Sequence, residues 1–303
     1  KIASNSLSID LESIAVASTG IIGVELPMAL MRKYIPKIEL SKNDGPGFAR
    51  SILTTDKRTK EIAVSFDHEG SEITVAGVAK GSGMIHPNMA TMLSFITSDI
   101  SIDETTLREV LTLSVNKSFN QISVDGDQST NDTVLAMANG EAQNKKITSL
   151  EDASVFQEAM DQVCIFLAKE IAKDGEGNTR LIEASISGAK TLEDARKAAR
   201  FIVSSNLVKT AVYGRDPNWG RIMMAVGASQ IELDESKIEI FVNDIQIVAD
   251  GISTPYNHQS VVIAMNQPII RLEVNLNIGK ESSKAWGSEL TEEYVVFNSA
   301  YTT

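Results

Sequence analysis

The chain has 303 residues, enough for one or two domains with a large core, and its hydrophobic share of 43% is ordinary for a globular protein. The net charge of −12 argues against a general nucleic-acid binder, and no apolar stretch approaches the roughly 20 residues of a membrane span. The single cysteine, Cys164, excludes an internal disulfide and fits a reducing compartment. Because the chain starts at Lys1 rather than at Met, we expect that it was processed or that its beginning is missing.

Local patterns in the first third predict a helix, a loop and a hairpin. Residues 27–34 suit a helix with a proline in its first turn. The glycine- and proline-bearing segment 43–47 predicts a loop, and residues 52–55 suit the end of a strand. Segments 61–66 and 72–79 predict the two strands of a β-hairpin.

Residues 18–23, Ser-Thr-Gly-Ile-Ile-Gly, predict a turn of small and hydroxylated residues. The backbone N–H groups of such a turn can bind an anion or a developing oxyanion. A plain turn without any ligand explains the same residues, so the pattern alone leaves both interpretations open.

The most distinctive stretch covers residues 79–93, which read AKGSGMIHPNMATML. Gly81 and Gly83 allow backbone conformations that other residues avoid and let a ligand approach closely. Thr91 lies where this loop meets a predicted buried strand at 92–96. Its hydroxyl can be a nucleophile if a base lies nearby, whereas a strand-forming threonine after a loop is the ordinary alternative.

The remainder of the chain mixes helical and strand patterns without a repeat, which indicates an α/β or α+β protein. A soft domain boundary falls at the glycine loop 175–177. The predicted helices cover 107–119, 156–171, 191–204 and the residues after 221, and the predicted strands cover 122–124, 181–187, 210–213, 238–248 and 269–277.

Several kinds of site are not predicted. The polar loop 125–133 starts like a calcium loop but lacks the glycine and the glutamate that such a loop needs, so we interpret it as structural support. His68, His86 and His258 are far apart in the sequence and lack the spacing of zinc ligands. There is also no G-x-S-x-G elbow and no Walker A motif.

Residues 80–93 resemble, nearly letter for letter, the processing-site motif of the ornithine acetyltransferase family, the glutamate N-acetyltransferases of arginine biosynthesis. Further stretches resemble that family in the same order, at 18–28, 123–133, 216–221 and 294–303. The resemblance implies a mixed α/β fold. Its main catalytic domain, layered helix/sheet/sheet/helix, would cover 1–177, and a smaller C-terminal α/β domain at 178–303 would complete the substrate site.

The resemblance implies that the precursor cleaves itself between Ala90 and Thr91 into an α chain, 1–90, and a β chain, 91–303. Thr91 would then carry the acetyl group in a ping-pong transfer from N-acetylornithine to glutamate, with ornithine released. The freed α-amine, whose ordinary pKa is near 8, suits the role of base. Acetyl-CoA stays open as a further acetyl donor, and no metal or other cofactor is implied.

Site residues carry over from the family by position. Thr19 and Gly20 are implied as oxyanion donors. Lys80 suits the α-carboxylate that both substrates share, and Glu176 suits an amino group. Strand neighbours face opposite sides, so the residue after Thr54 remains an alternative to it. The implied substrate contacts are Thr54, Lys80, Thr91, Glu176, Asn298 and Thr303.

Other expectations concern the whole protein. Family precursors have a sizeable region before the match to residues 18–20, and here 17 residues precede it, which predicts either a fragment or a truncated relative. The short N-terminal region leaves a truncated, non-catalytic relative open as an alternative. A related self-cleaving hydrolase or aminopeptidase, which would share the nucleophile but release its acyl group to water, is a separate alternative. The resemblance implies an oligomer of αβ heterodimers, a heterotetramer, with no nucleic-acid or membrane partner. A cytoplasmic location is expected, with the mitochondrial matrix as the alternative.

Overall fold

The computed structural model describes residues 1–40, 44–86 and 92–300. Within these ranges the chain forms ten α-helices and eleven β-strands. The helices are α1 Ile2–Leu7, α2 Met28–Tyr34, α3 Gly45–Ser51, α4 Glu104–Lys117, α5 Ser154–Lys173, α6 Leu192–Ser204, α7 Asn206–Gly214, α8 Trp219–Ala228, α9 His258–Ala264 and α10 Glu292–Ala300. The strands are β1 Lys60–His68, β2 Ser71–Lys80, β3 Leu93–Ser98, β4 Ile122–Ser123, β5 Thr133–Ala138, β6 Leu181–Ala189, β7 Glu239–Val242, β8 Ile245–Ala249, β9 Ile252–Ser253, β10 Ile269–Asn275 and β11 Glu281–Ser288.

The first sheet has the strand order β1-β2-β3-β5 and positions the candidate site. The predicted hairpin of β1 and β2 is confirmed, and β2 then pairs antiparallel with β3. β3 runs parallel to β5, with Leu93 opposite Thr133, while Lys80 lies opposite Leu93 on the other side. The end of β2 and the starts of β3 and β5 therefore meet at one edge of the sheet.

Helix α5 packs closely on this sheet, and Gly77 of β2 allows the close approach. A Cβ at Gly77 would lie 2.8 Å from the Val163 side chain and 2.9 Å from that of Leu167. Dense packing of this kind leaves no room for even one methyl group. The buried apolar face of α5 and the sheet thus share one hydrophobic core.

The second sheet has the order β4-β11-β6-β10-β7-β8-β9, and α6 packs on one of its faces. Alternate residues of β6 and a row of buried alanines on α6 form a second hydrophobic core there. On the other face, Glu183 accepts hydrogen bonds from Lys169 of α5 at 3.0 Å and from the Trp286 indole at 2.8 Å. Helix α5 thus contacts both sheets, and the predicted mixed α/β class with layered sheets and helices is confirmed.

Three local predictions were wrong, and the first of them has a clear physical reason. Residues 210–213, predicted as a strand from their β-branched and aromatic content, lie in α7. Ser205 caps this helix by accepting a hydrogen bond from Val208, and Val208 and Val212 face the core one turn apart. Residues 52–55 follow α3 without forming a strand, and the described part of the predicted 43–47 loop lies mostly in α3.

Of the helices in the described part of the chain, none combines the length and the apolar character that a membrane crossing requires.

Candidate active site

Lys80, the last residue of β2, is 6% exposed and faces the side chains of the 54–56 loop. Its ammonium donates a hydrogen bond to Thr54 Oγ1 at 2.7 Å and lies 3.9 Å from a carboxylate oxygen of Asp56. Burial lowers the pKa of Lys80, and the negative charge of Asp56 opposes that shift. The structure thus brings the Thr54 side chain, rather than that of the next residue, to Lys80.

Asp56 and Lys60 form a buried charge network beneath Lys80. Lys60 Nζ donates to Asp56 at 2.7 Å and to Asp174 at 2.6 Å, and the Lys60 and Asp56 side chains are fully buried. Asp56 also accepts the Gly81 N–H at 2.6 Å. Burial opposes ionisation of Asp56, but Lys60, the Gly81 N–H and Lys80 together lower its pKa. The network therefore fixes the point where β2 enters the glycine loop.

The glycine loop docks against the loop that follows α5. Ser82 Oγ donates to the Asp174 carbonyl at 2.7 Å, and the Glu176 N–H donates to the Ser82 carbonyl at 3.0 Å. A Cβ at Gly83 would lie 2.5 Å from the Glu176 carboxyl group. Glycine at this position therefore allows the Glu176 carboxylate to lie directly on the loop.

Asp125 holds the same loop farther along. Its carboxylate accepts the N–H groups of Met84 at 2.6 Å and Ile85 at 2.9 Å. The buried Lys209 ammonium donates to the neighbouring Val124 carbonyl and faces Asp125. Burial raises the pKa of Asp125 and lowers that of Lys209 to about 8. These contacts agree with a supporting role for the start of the 125–133 loop.

Helix α10 brings Asn298 to the same place. Asn298 Nδ2 donates to Glu176 Oε2 at 3.0 Å, and Glu176 itself is 6% exposed. The charge of Glu176 is also close enough to favour the ionised form of Lys80. Four of the predicted substrate-binding residues, Thr54, Lys80, Glu176 and Asn298, are thus brought together around the glycine loop.

The predicted oxyanion residue Thr19 lines a small cavity with Lys80. Gly20 follows Thr19 in the chain but is not one of the lining residues of this cavity. The cavity is lined by Thr19, Lys80, Met92, Leu93, Ser129, Asn131 and Asp132. Ala90, Thr91 and Thr303 lie outside the described residues, so their predicted roles stay predictions.

Sequence reasoning missed Asp56, Lys60 and Asp174, and it did not single out Asp132, which lines the small cavity with Lys80. The Lys60–Asp174 ion pair joins residues 114 positions apart, and no local pattern marks either partner. Asp132 lies in the polar loop 125–133, for which the sequence predicts only structural support.

The described ranges contain no group of three or more His, Cys, Asp or Glu side chains that could hold a metal ion. The prediction that no cofactor is needed remains a prediction.

The fold and the site together define an α/β enzyme in which two residues of opposite charge, Lys80 and Glu176, lie at one glycine loop. A model of the ArgJ family matches residues 1–303, and the chain belongs to this family. The predicted enzyme class, a glutamate N-acetyltransferase of arginine biosynthesis, is thereby confirmed.

Individual relatives support this membership along the whole chain. The chain is 45% identical to the arginine biosynthesis bifunctional protein ArgJ of Oceanobacillus iheyensis, across 100% of this chain and 75% of that protein. It is 47% identical to the protein of the same name from Listeria monocytogenes, across 98% of this chain and 75% of that protein. A crystal structure of the Bacillus halodurans arginine biosynthesis bifunctional protein ArgJ is 42% identical, with a TM-score of 0.68, and covers 70% of this chain and 100% of that chain.

Proposed function

We propose that this protein moves the acetyl group of N-acetylornithine to glutamate through an acetyl ester on Thr91. The observation that carries the proposal is that Lys80 and Glu176, which carry opposite charges, both lie at one glycine loop in a chain of this family. The Lys80 ammonium suits the α-carboxylate that both amino acids share, and the Glu176 carboxylate suits an amino group. Thr54 and Asn298 hold these two charged groups in place.

The proposed cycle has two half-reactions on one nucleophile. Thr91 Oγ attacks the acetyl carbonyl of N-acetylornithine, and the free α-amine of Thr91 takes the hydroxyl proton. The amine then gives this proton to the nitrogen of ornithine as the C–N bond breaks, and ornithine leaves. The amino group of glutamate then attacks the acetyl ester and regenerates the Thr91 hydroxyl. Thr19 and Gly20 would donate hydrogen bonds to the tetrahedral oxyanion, and losing one such donor typically costs about 10²–10³ in rate.

Self-cleavage between Ala90 and Thr91 is part of this proposal, because it frees the amine that acts as base. The lengths of the chains support it. Residues 91–303 are 213 of the 303 residues, about 70%, and the Bacillus halodurans chain matches 70% of this chain over its own full length. If the Bacillus halodurans chain is a separate β chain, it would match about 70% of this chain along its own full length, as it does.

A second acetyl donor, acetyl-CoA, is supported by the word "bifunctional" in the names of both curated relatives.

We further propose a main catalytic domain at 1–177 and a smaller domain at 178–303, supported by the two hydrophobic cores. The active form would be a heterotetramer of αβ heterodimers. A cytoplasmic location is supported by the bacterial origin of the relatives.

The proposal is tested by incubating the purified protein with N-acetylornithine, with and without glutamate. With glutamate present we expect acetylglutamate and ornithine in equal amounts and no acetate. Without glutamate we expect acetate only after long incubation. Acetate released at the same rate with and without glutamate would instead establish a hydrolase. A parallel incubation with acetyl-CoA and glutamate measures whether acetylglutamate also forms from acetyl-CoA.

Replacing Lys80 with methionine is expected to raise KM for glutamate by roughly 10–100-fold, because a charge-assisted hydrogen bond is worth about 1.5–3 kcal/mol. Steady-state kinetics of acetylglutamate formation measures this effect. Lys57→Met is the matched control, since the Lys57 side chain is exposed. An unchanged KM in the Lys80 variant would contradict the proposed carboxylate contact.

A further inference from the structure

One face of α6 carries a cluster of basic side chains, Arg196, Lys197 and Arg200. Arg200 follows the other two by four and three residues, and residues at this spacing are neighbours on a helix surface. The opposite face of α6, with its row of buried alanines, packs on the second sheet. These three residues, the basic face of α6, therefore point away from that core.

The basic face of α6 lines a cavity of about 810 Å³. Small-molecule sites commonly have volumes of roughly 300–1,000 Å³. His86, at the end of the glycine loop, lies in the same lining, together with Gln121 and with Phe201, which is 41% exposed. The cavity thus combines positive charge, a side-chain amide and an accessible aromatic ring.

Two carboxylates share this lining but form no ion pair with the basic face. Asp125 already accepts the N–H groups of Met84 and Ile85, and Glu193 is exposed in the first turn of α6. None of the ion pairs within the described ranges includes a residue of the basic face. In a chain with a net charge of −12, this cavity therefore offers unpaired positive charge to an anionic ligand.

Arg200 is a partly buried cation without a carboxylate partner among the described residues. Its guanidinium donates to the His86 carbonyl at 3.0 Å, but its buried Nε has no hydrogen-bond partner within the described ranges. Burial lowers the pKa of Arg200 to about 10, and no carboxylate in the described part of the chain opposes that shift. By contrast, Lys60 bonds to a carboxylate at 2.6 Å and Arg180 to another at 2.9 Å. Because an unpaired buried charge is costly, an anion in the cavity would stabilise Arg200.

Gln121 contributes a second unpaired polar atom to the same lining. Its Oε1 is buried and accepts no hydrogen bond from any residue that the structure describes. A donor on Arg200 and an acceptor on Gln121 are thus both unsatisfied beside one cavity. Buried polar atoms are nearly always paired, so this combination indicates a ligand that has acceptors as well as donors.

A phosphorylated nucleotide has the chemistry that this cavity requires. Guanidinium and ammonium groups bind phosphate oxygens, an exposed aromatic ring stacks on a base, and an amide oxygen accepts from an exocyclic amine. We propose that this cavity binds the phosphorylated nucleotide of acetyl-CoA, with the basic face of α6 on its phosphates. This inference rests on the proposed function, in which acetyl-CoA is the second acetyl donor.

The cavity and the site around Lys80 lie at the two ends of one glycine loop. Lys80 precedes the loop and His86 ends it, and six residues span at most about 20 Å. Between these ends, Asp125 of the cavity lining holds the N–H groups of Met84 and Ile85. A long, flexible pantetheine arm separates the acetyl thioester of acetyl-CoA from its nucleotide. The two parts of the molecule can therefore occupy opposite ends of the loop.

The test measures nucleotide binding directly, by isothermal titration calorimetry of the full chain with adenosine 3′,5′-bisphosphate, the nucleotide end of CoA. We expect saturable binding that acetyl-CoA competes away. Arg200→Met is expected to raise Kd by about 10–100-fold, because charge-assisted hydrogen bonds to phosphate are lost. Inorganic phosphate is expected to bind the wild-type chain more weakly by about tenfold or more, since it has no base to stack on Phe201.

Three further variants separate a phosphate contact from a structural role. Arg196→Met removes a charge from the same helix face at a half-buried position and should raise Kd by roughly tenfold, even where Arg200→Met does not fold. Arg200→Lys keeps the charge and a donor for the His86 carbonyl, so it should recover part of the affinity. Arg108→Met is the matched control, because the Arg108 side chain is 75% exposed on α4 and pairs with Glu104, and it should leave Kd unchanged.

The outcomes distinguish the inference from the function on which it rests. The cavity is not the nucleotide site if the bisphosphate does not bind, binds no more tightly than inorganic phosphate, or binds the Arg196 and Arg200 variants as tightly as the wild type. Each of these results overturns the inference even where acetyl-CoA acts as an acetyl donor. Binding that both variants weaken establishes the site, and a lack of acetylglutamate from acetyl-CoA would then contradict the second donor of the proposed function instead.

Discussion

The Thr91→Ala variant is expected to stay a single chain of 303 residues and to lose acetyl transfer by roughly 10⁴-fold or more. Two losses combine in this variant. Alanine has no hydroxyl to attack the preceding carbonyl, so the α-amine is never freed. It also has no oxygen to carry the acetyl group, so both half-reactions stop.

Intact mass and a denaturing gel measure the cleavage, and acetylglutamate formation measures the transfer. Thr91→Ser is the matched control, because it keeps the hydroxyl and removes only a methyl group. We expect the serine variant to yield two chains and measurable transfer. Retained transfer in an uncut Thr91→Ala chain would show that another residue carries the acetyl group.

Replacing Lys60 with methionine is expected to lower the free energy of unfolding by about 3–5 kcal/mol, the usual cost of breaking a buried ion pair. Lys60 is the shared cation of Asp56 and Asp174, and all three side chains are at most 3% exposed. Methionine fills a similar volume but leaves two buried carboxylates without that partner. Chemical denaturation in the uncut Thr91→Ala background measures the change on one covalent chain.

Lys57→Met is the control for a nearby lysine at the surface, and we expect it to change stability by less than about 0.5 kcal/mol. Lys60→Met should also lower the free energy of unfolding by less in an Asp174→Asn background, because Asp174 then carries no buried charge that loses its partner. A cost below about 1 kcal/mol in the single variant would contradict the importance of this network.

The effect of Lys60 should depend on pH in a defined direction. The folded-state pKa of Asp56 is lowered, so its ionised form stabilises the fold above the unfolded pKa of about 3.9. That stability is lost as the pH falls through the lower, folded-state value. The destabilisation by Lys60→Met is therefore expected to be full at neutral pH and to shrink in acid.

Much of the fold could be predicted from local patterns because the physics that sets those elements is local. The strands predicted at 61–66 and 72–79 form the β1–β2 hairpin, and the helix predicted at 191–204 corresponds to α6, which the Thr191 side chain caps. The strand predicted at 210–213 failed because the β-branched residues of α7 pack on a helix face, and tertiary packing overrode their strand preference.

The functional prediction followed from a long motif rather than from geometry. The stretch at 80–93 and the other matching stretches identified the family and the enzyme class, and they implied six substrate contacts by position, which stay predictions. The structure then brought Thr54, Lys80, Glu176 and Asn298 to one loop. Whether Thr54 or its neighbour faces Lys80 could not be decided earlier, because the 54–56 loop has no strand alternation to set its side-chain directions.

The sequence by itself determined which residues resemble a nucleophile, its oxyanion donors and its substrate contacts. Only the tertiary structure decided which charges are buried together. Lys60 bonds to Asp174 across 114 residues. Asp132 lines the same small cavity as Lys80 only because β3 pairs with β2 on one side and with β5 on the other. Charge burial is a property of the three-dimensional neighbourhood, and residues so far apart in the chain leave no local pattern that could predict it.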